Sequence, residues 1–125
     1  MRALILLVSA LVLAALWWWL SGDGAPPEPE ASDIARAETL RPTEPELATI
    51  YERSCMACHA LVEAQAPLTG FAPAWAAREK ERGAHGLLLS ARNGFGNMPA
   101  MGLCLDCSDD QMTALIAFMS GEGRQ

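Results

Sequence analysis

Residues 55–59 read Cys-Met-Ala-Cys-His. This stretch restricts the fold more than any other, because it places two thiols one turn apart with an imidazole directly after them. Three chemistries use such a group. A redox dithiol needs the cysteines but not the histidine, and it belongs on a βαβ scaffold with the first cysteine opening a helix. A zinc site would take all three side chains and require a fourth ligand. Covalent haem attachment also takes all three and requires a second axial ligand elsewhere. The remainder of the chain discriminates among them.

The chain has 125 residues, enough for one modest domain, but its beginning stands apart. Residues 3–20, ALILLVSALVLAALWWWL, carry no charge over eighteen residues. As a helix this run would extend about 27 Å, close to the thickness of a hydrocarbon core. Trp17, Trp18 and Trp19 lie at its far end, where a membrane–water interface favours indole rings, and Arg2 is the only charge before it. Residues 1–22 are therefore expected to be a transmembrane anchor that exports everything after them. The alternative is a cleaved signal sequence, against which stand the tryptophans and the lack of an A-x-A-like site. Residues 23–45 hold five of the eight prolines and an excess of acids, and they read as a semi-extended tether with a short helix near Ile34–Leu40.

Residues 46–125 form the working domain and contain all four cysteines: Cys55, Cys58, Cys104 and Cys107. About 80 residues is small for a self-sufficient core, so a staple, metal or cofactor is expected. The chain's net charge of −6 argues against a nucleic-acid partner. ELATIYERSCMACH reads as a helix running into the motif, with Leu47, Ile50, Tyr51 and Ser54 on one face. SDDQMTALIAFMS reads as the last helix. Ser108 and Gln111 would form its capping box, Met112, Leu115, Ile116 and Met119 its apolar stripe, and Gly121 its end. Two weaker helices are expected near Ala74–Glu81 and His85–Arg92, separated at Gly83. No segment alternates as a strand would, so the expected class is all-α, three or four helices with long loops.

That architecture disfavours the dithiol. The zinc reading pairs Cys55 and Cys58 with Cys104 and Cys107, but zinc ribbons are β-rich and their pairs lie closer than this. Haem accounts for more: C-x-x-C-H is the signature of c-type attachment, and it occurs here in a chain expected to be exported. The sixth ligand would be a thioether or an imidazole. His85 suits a surface position better, and Met112 and Met119 lie on the core stripe. Met98 and Met101 remain, in a glycine-rich loop, and Pro99 stiffens the backbone beside Met98, which is favoured.

With those residues in place, the domain resembles the small class I cytochromes c, and most of all the bacterial cytochrome c5 group. The matching pieces run in order as IYERSCMACH, APLTG, AWAAR, ARNGFGNMP and GLCLDCSDDQM, over about residues 46–120. The resemblance implies a fold wrapped around one haem c, held by Cys55 and Cys58, with His59 and Met98 as axial ligands. It implies that the Pro67 carbonyl accepts from the His59 ring, that Trp75 and Arg78 lie near the haem propionates, and that Cys104 and Cys107 form a disulfide. The chain departs from the group where a proline and a lysine usually follow the ligand methionine and its proline. Ala100 and Met101 stand there instead, leaving a second thioether close by.

A six-coordinate iron has no open site, so the expected role is one-electron transfer and not catalysis. The expected setting is the periplasmic side of a bacterial inner membrane, with a quinol-oxidising complex as donor and a terminal oxidase or periplasmic reductase as acceptor. A haem-based gas sensor and a fixed subunit of a larger oxidoreductase are the alternatives.

Overall fold

The computed structural model describes residues 2–20 and 25–121, leaving aside the side chains of 2–7 and 20. Its elements are helical: α1 (Arg2–Leu20), α2 (Ala31–Thr39), α3 (Pro45–Ile50), α4 (Met56–His59), α5 (Ala72–Asn93) and α6 (Asp109–Ser120), with 3₁₀ turns at Val62–Ala64 and Ala100–Leu103. Apart from an isolated antiparallel bridge between Phe95 and Met98, no strand pairing occurs among the described residues.

Pro45 opens α3 at a position where its missing N–H costs nothing, and the Glu44 carboxylate accepts from the Glu46 and Leu47 amides at 3.1 and 2.7 Å. The helix does not run straight into the motif. Residues Tyr51–Cys55 form a π turn closed by the Met56 amide on the Tyr51 carbonyl. One extra residue in the turn rotates the Cys58–His59 end of the motif relative to α3, and π turns concentrate at functional sites. Ile50, Tyr51 and Ser54 all point into the core. α6 has the capping box its sequence announces: Ser108 Oγ accepts from the Gln111 amide, and the Gln111 side chain accepts from the Ser108 amide. Met112, Leu115 and Met119 are buried beneath it, and Gly121 ends it at φ 89°. α5 breaks at Gly83, whose φ of 66° and ψ of 169° interrupt the helix where two separate helices are expected.

α5 packs on α6 and on the 3₁₀ turn at 100–103, and α3 meets α6. The main core joins Ile50, Tyr51, Trp75, Ala91, Met112, Leu115 and Met119 with Cys104 and Cys107. The Phe118 ring meets Tyr51 edge-on at 5.2 Å. Tyr51 and Thr69 are both wholly buried, and their hydroxyls share a 2.9 Å hydrogen bond. Burial pushes the Tyr51 phenol pKa up, and the bond to Thr69 opposes this in part. Tyr51→Phe strands the Thr69 hydroxyl without its partner, so it is expected to lower stability by about 1–3 kcal/mol. Denaturant unfolding of the cofactor-loaded protein measures this.

The stretch read as a tether is more than a spacer. Its helix α2 presents Ile34 and Ala37, three residues apart, to Leu68, Phe71 and Ala74, and Ala37 is fully buried. Composition averages over the segment and hides this pair. Among the described residues no helix is long and apolar enough to cross a membrane. The expected anchor at 1–22 lies partly outside the described residues. Within the described part of α1, Leu11, Leu13, Trp17, Trp18 and Trp19 are exposed.

Candidate cofactor site

Cys55 closes the π turn, and Cys58 and His59 lie on the short α4 directly after it. Both cysteines are free thiols, half-buried, and both line a cavity of about 520 Å³ together with His59. That volume is in the range of cofactor sites. Trp75, Leu87, Ala91 and Leu115 supply apolar wall, and the loop carrying Met98 and Met101 forms another part of it.

His59 is buried, and its Nδ1 lies 2.9 Å from the Pro67 carbonyl oxygen. A carbonyl only accepts, so Nδ1 carries the proton and Nε2 keeps its lone pair. Burial is the larger influence on the ring and holds its pKa below the ordinary value; the Pro67 bond opposes this, and the Arg78 charge adds to the lowering. The imidazole is thus neutral and in the tautomer a metal requires. Successive residues fasten the loop opposite Nδ1. The Thr69 amide donates to the His59 carbonyl at 2.8 Å. The Trp75 indole N–H donates to the Leu68 carbonyl at 2.8 Å, and its ring stacks on His59 at 5.6 Å. Trp75 also lines the cavity, where its ring serves as a backstop to His59. Arg78 lines the cavity and donates to the Ala74 carbonyl at 2.8 Å. His85 is exposed and takes no part in the lining.

Phe95 and Met98 exchange both backbone hydrogen bonds, at 3.1 and 3.0 Å, which fixes the backbone that carries the Met98 thioether. Gly94 makes this possible: at φ 82°, a Cβ there would lie 3.0 Å from both the Met98 carbonyl oxygen and the Ala100 nitrogen. Gly94→Ala is therefore expected to cost about 1–3 kcal/mol and to displace the Met98 loop. Thermal unfolding, and the absorption band that a methionine sulfur gives ferric haem, check the two effects separately. Met101 has a left-handed backbone, φ 61°, unusual for a side chain of its kind. The Met98 methyl comes within 3.1 Å of where a Gly102 Cβ would sit.

Cys104 and Cys107 are joined by a disulfide, directly before the Ser108 cap of α6. Arg53 reaches this loop from the π turn. It contacts the Cys104 sulfur at 3.4 Å and both Asp106 carboxylate oxygens at 2.9 Å, which holds the Asp106 pKa below the usual carboxylate range. This tie between the motif and the loop after Met101 was not visible in the sequence, because its partners are 53 residues apart. Above the Met98 turn, the Arg82 guanidinium sits 3.7 Å over the Phe95 ring and links α5 to it.

The donor set excludes the alternatives. Among the described residues no three His, Cys, Asp or Glu side chains cluster to hold a metal ion, so the two cysteine pairs do not form a zinc site. The dithiol lacks its sheet. Two free thiols one turn apart, a neutral imidazole with a free Nε2, thioethers and apolar walls are what a haem needs. The comparisons agree. Residues 42–119 match the family described as "Cytochrome C oxidase, cbb3-type, subunit III". Cytochrome c5 of Azotobacter vinelandii is 40% identical over 73 residues, which is 58% of this chain and 88% of that protein. Cytochrome c5 of Ectopseudomonas mendocina is also 40% identical over 73 residues, covering 58% of this chain and 84% of that protein. No solved structure gives a significant match. The chain belongs to this family of cytochrome c domains, as a class I c-type cytochrome with a covalently bound haem c as its cofactor.

Proposed function

We propose that this electron carrier holds its haem through thioethers at Cys55 and Cys58, with His59 and Met98 as the axial ligands. The observation that carries the reading is the neutral His59 ring, locked by Pro67, in one cavity with both free thiols and the Met98 loop. Haem iron supplies the one-electron Fe(III)/Fe(II) chemistry. The protein's part is to fill both axial positions, to exclude water with apolar walls, and to hold the ligands still while charge changes. A thioether ligand in an apolar pocket favours the reduced state and raises the potential. Phe95 and Leu103 both line the cavity and are also exposed, so they mark where a redox partner would approach its contents.

Residues 1–22 anchor this carrier in a bacterial inner membrane, with the haem domain in the periplasm. Support comes from the uncharged run at 3–20 and the exposed tryptophans at its end. Because Pro26 lines the cavity and α2 packs on the domain, only residues 21–25 separate α1 from the docked part. Fully extended, five residues reach about 17 Å. The domain thus works close to the membrane, between a quinol-oxidising complex and a terminal oxidase or periplasmic reductase. The matched family's description favours a second reading, in which the chain is a fixed subunit of an oxidase-type complex.

Carbon monoxide added to the reduced protein tests the central part. A carrier with Met98 in place is expected to show no spectral change; ready binding would point to a gas-sensing module. Purification in mild detergent separates carrier from subunit, by whether stoichiometric partners stay attached.

A further inference from the structure

Helix α2 lies before residue 42, where the family match begins, yet it is built into the wall behind His59. Ala37 is 0% exposed, and with Ile34 it packs on Leu68, Phe71 and Ala74. Arg36 donates to the Gly70 carbonyl at 3.2 Å, and its Nε is buried without a hydrogen-bond partner, so the guanidinium is drawn into the contact at a cost. The segment under α2 is the one whose Pro67 carbonyl accepts from His59 Nδ1. Gly70 is also held from the other side, its amide donating to the Met119 carbonyl at 2.7 Å. Residues 67–70 are thus fixed between α6 and α2.

We propose that α2 is a positioning element for the His59 ligand. By pressing on Leu68–Ala74 it holds the Pro67 carbonyl on the ring, and so sets the electron-donating power of His59 and the reduction potential. The hydrogen bond makes the imidazole more basic and favours the oxidised state, so loosening it raises the potential. Ile34, Arg36 and Ala37 act through Pro67 and touch neither ligand. This rests on the reading of His59 as an axial ligand.

The test uses the full-length, haem-loaded protein with ¹⁵N-labelled histidine. Ile34→Ser with Ala37→Gln replaces two packing side chains by polar ones without changing charge, and new trypsin cleavage after Arg36 or Arg41 reports undocking. Exchange of the His59 Nδ1–H proton in the reduced protein is expected to accelerate on the order of tenfold, and the potential to rise. Arg36→Gln removes the bond to Gly70 together with the ion pair to Asp33 but keeps the packing of Ile34 and Ala37, and is expected to accelerate exchange less. Glu38→Gln, on the exposed side of α2, is expected to leave exchange unchanged. A merely structural helix would lower the unfolding midpoint and move neither exchange nor potential, and that result overturns the proposal. If the His59 ring resonances lack the large shift of a haem ligand, the ligand reading itself fails and the proposal falls with it.

Discussion

Replacing Cys55 and Cys58 together by serine is expected to yield a chain that matures without haem and does not unfold cooperatively. The reason is the size of the space that the cofactor occupies. An emptied cavity of about 520 Å³ costs up to about 12 kcal/mol at roughly 24 cal/mol per Å³, an upper figure because the cavity opens to solvent. Native domains are stable by only roughly 5–15 kcal/mol in total. The residues that line the cavity are also those of the core: Trp75, Ala91, Met112, Leu115 and Met119 belong to both. Among the described residues no second cluster is large enough to persist alone, since the other buried group there comprises Ala37, Leu68, Phe71 and Ala74. Far-UV circular dichroism and a denaturant titration of the double variant check this. A cooperative transition like that of the haem-loaded parent would mean that the fold does not depend on the cofactor.

Met98→Ala is expected to lower the reduction potential strongly, within the roughly 0.8 V span that axial ligands command, and to let the reduced protein take up carbon monoxide. Met101→Ala is expected to change neither. Both thioethers line the cavity, but their backbones differ. Met98 sits in a turn closed by two hydrogen bonds with Phe95, whereas Met101 lies in a left-handed stretch with Gly102 and Leu103. The first is held for one task, and the second carries strain that a ligand swap would have to redistribute. Spectroelectrochemical titration of the two variants decides it. A larger fall for Met101→Ala than for Met98→Ala would assign the ligand to Met101.

Much of this was legible along the chain because it depends on near neighbours. The Ser108–Gln111 box, the 112/115/119 stripe, the break at Gly83 and the Cys-Met-Ala-Cys-His turn each need only residues a few positions apart. The π turn was not legible, since nothing in Tyr-Glu-Arg-Ser-Cys distinguishes it from an α turn until the core selects it. Contacts across the fold were hidden for the same reason. Arg53 on Asp106, Tyr51 on Thr69 and Arg36 on Gly70 join residues 53, 18 and 34 positions apart. The bond from the Trp75 indole to Leu68 was not legible because its acceptor is a backbone carbonyl, which leaves no mark in a side-chain pattern. The docking of α2 rests on two apolar residues, Ile34 and Ala37, in a stretch whose proline and acid content suggests the opposite.

The most direct measurement is a pyridine haemochrome spectrum of the cytochrome domain after acid–acetone extraction. The account predicts that the haem stays with the protein, with a c-type spectrum and one haem per chain, because two thioether bonds at Cys55 and Cys58 survive the solvent. Haem lost completely to the solvent, with zinc found on the protein by metal analysis, would contradict it.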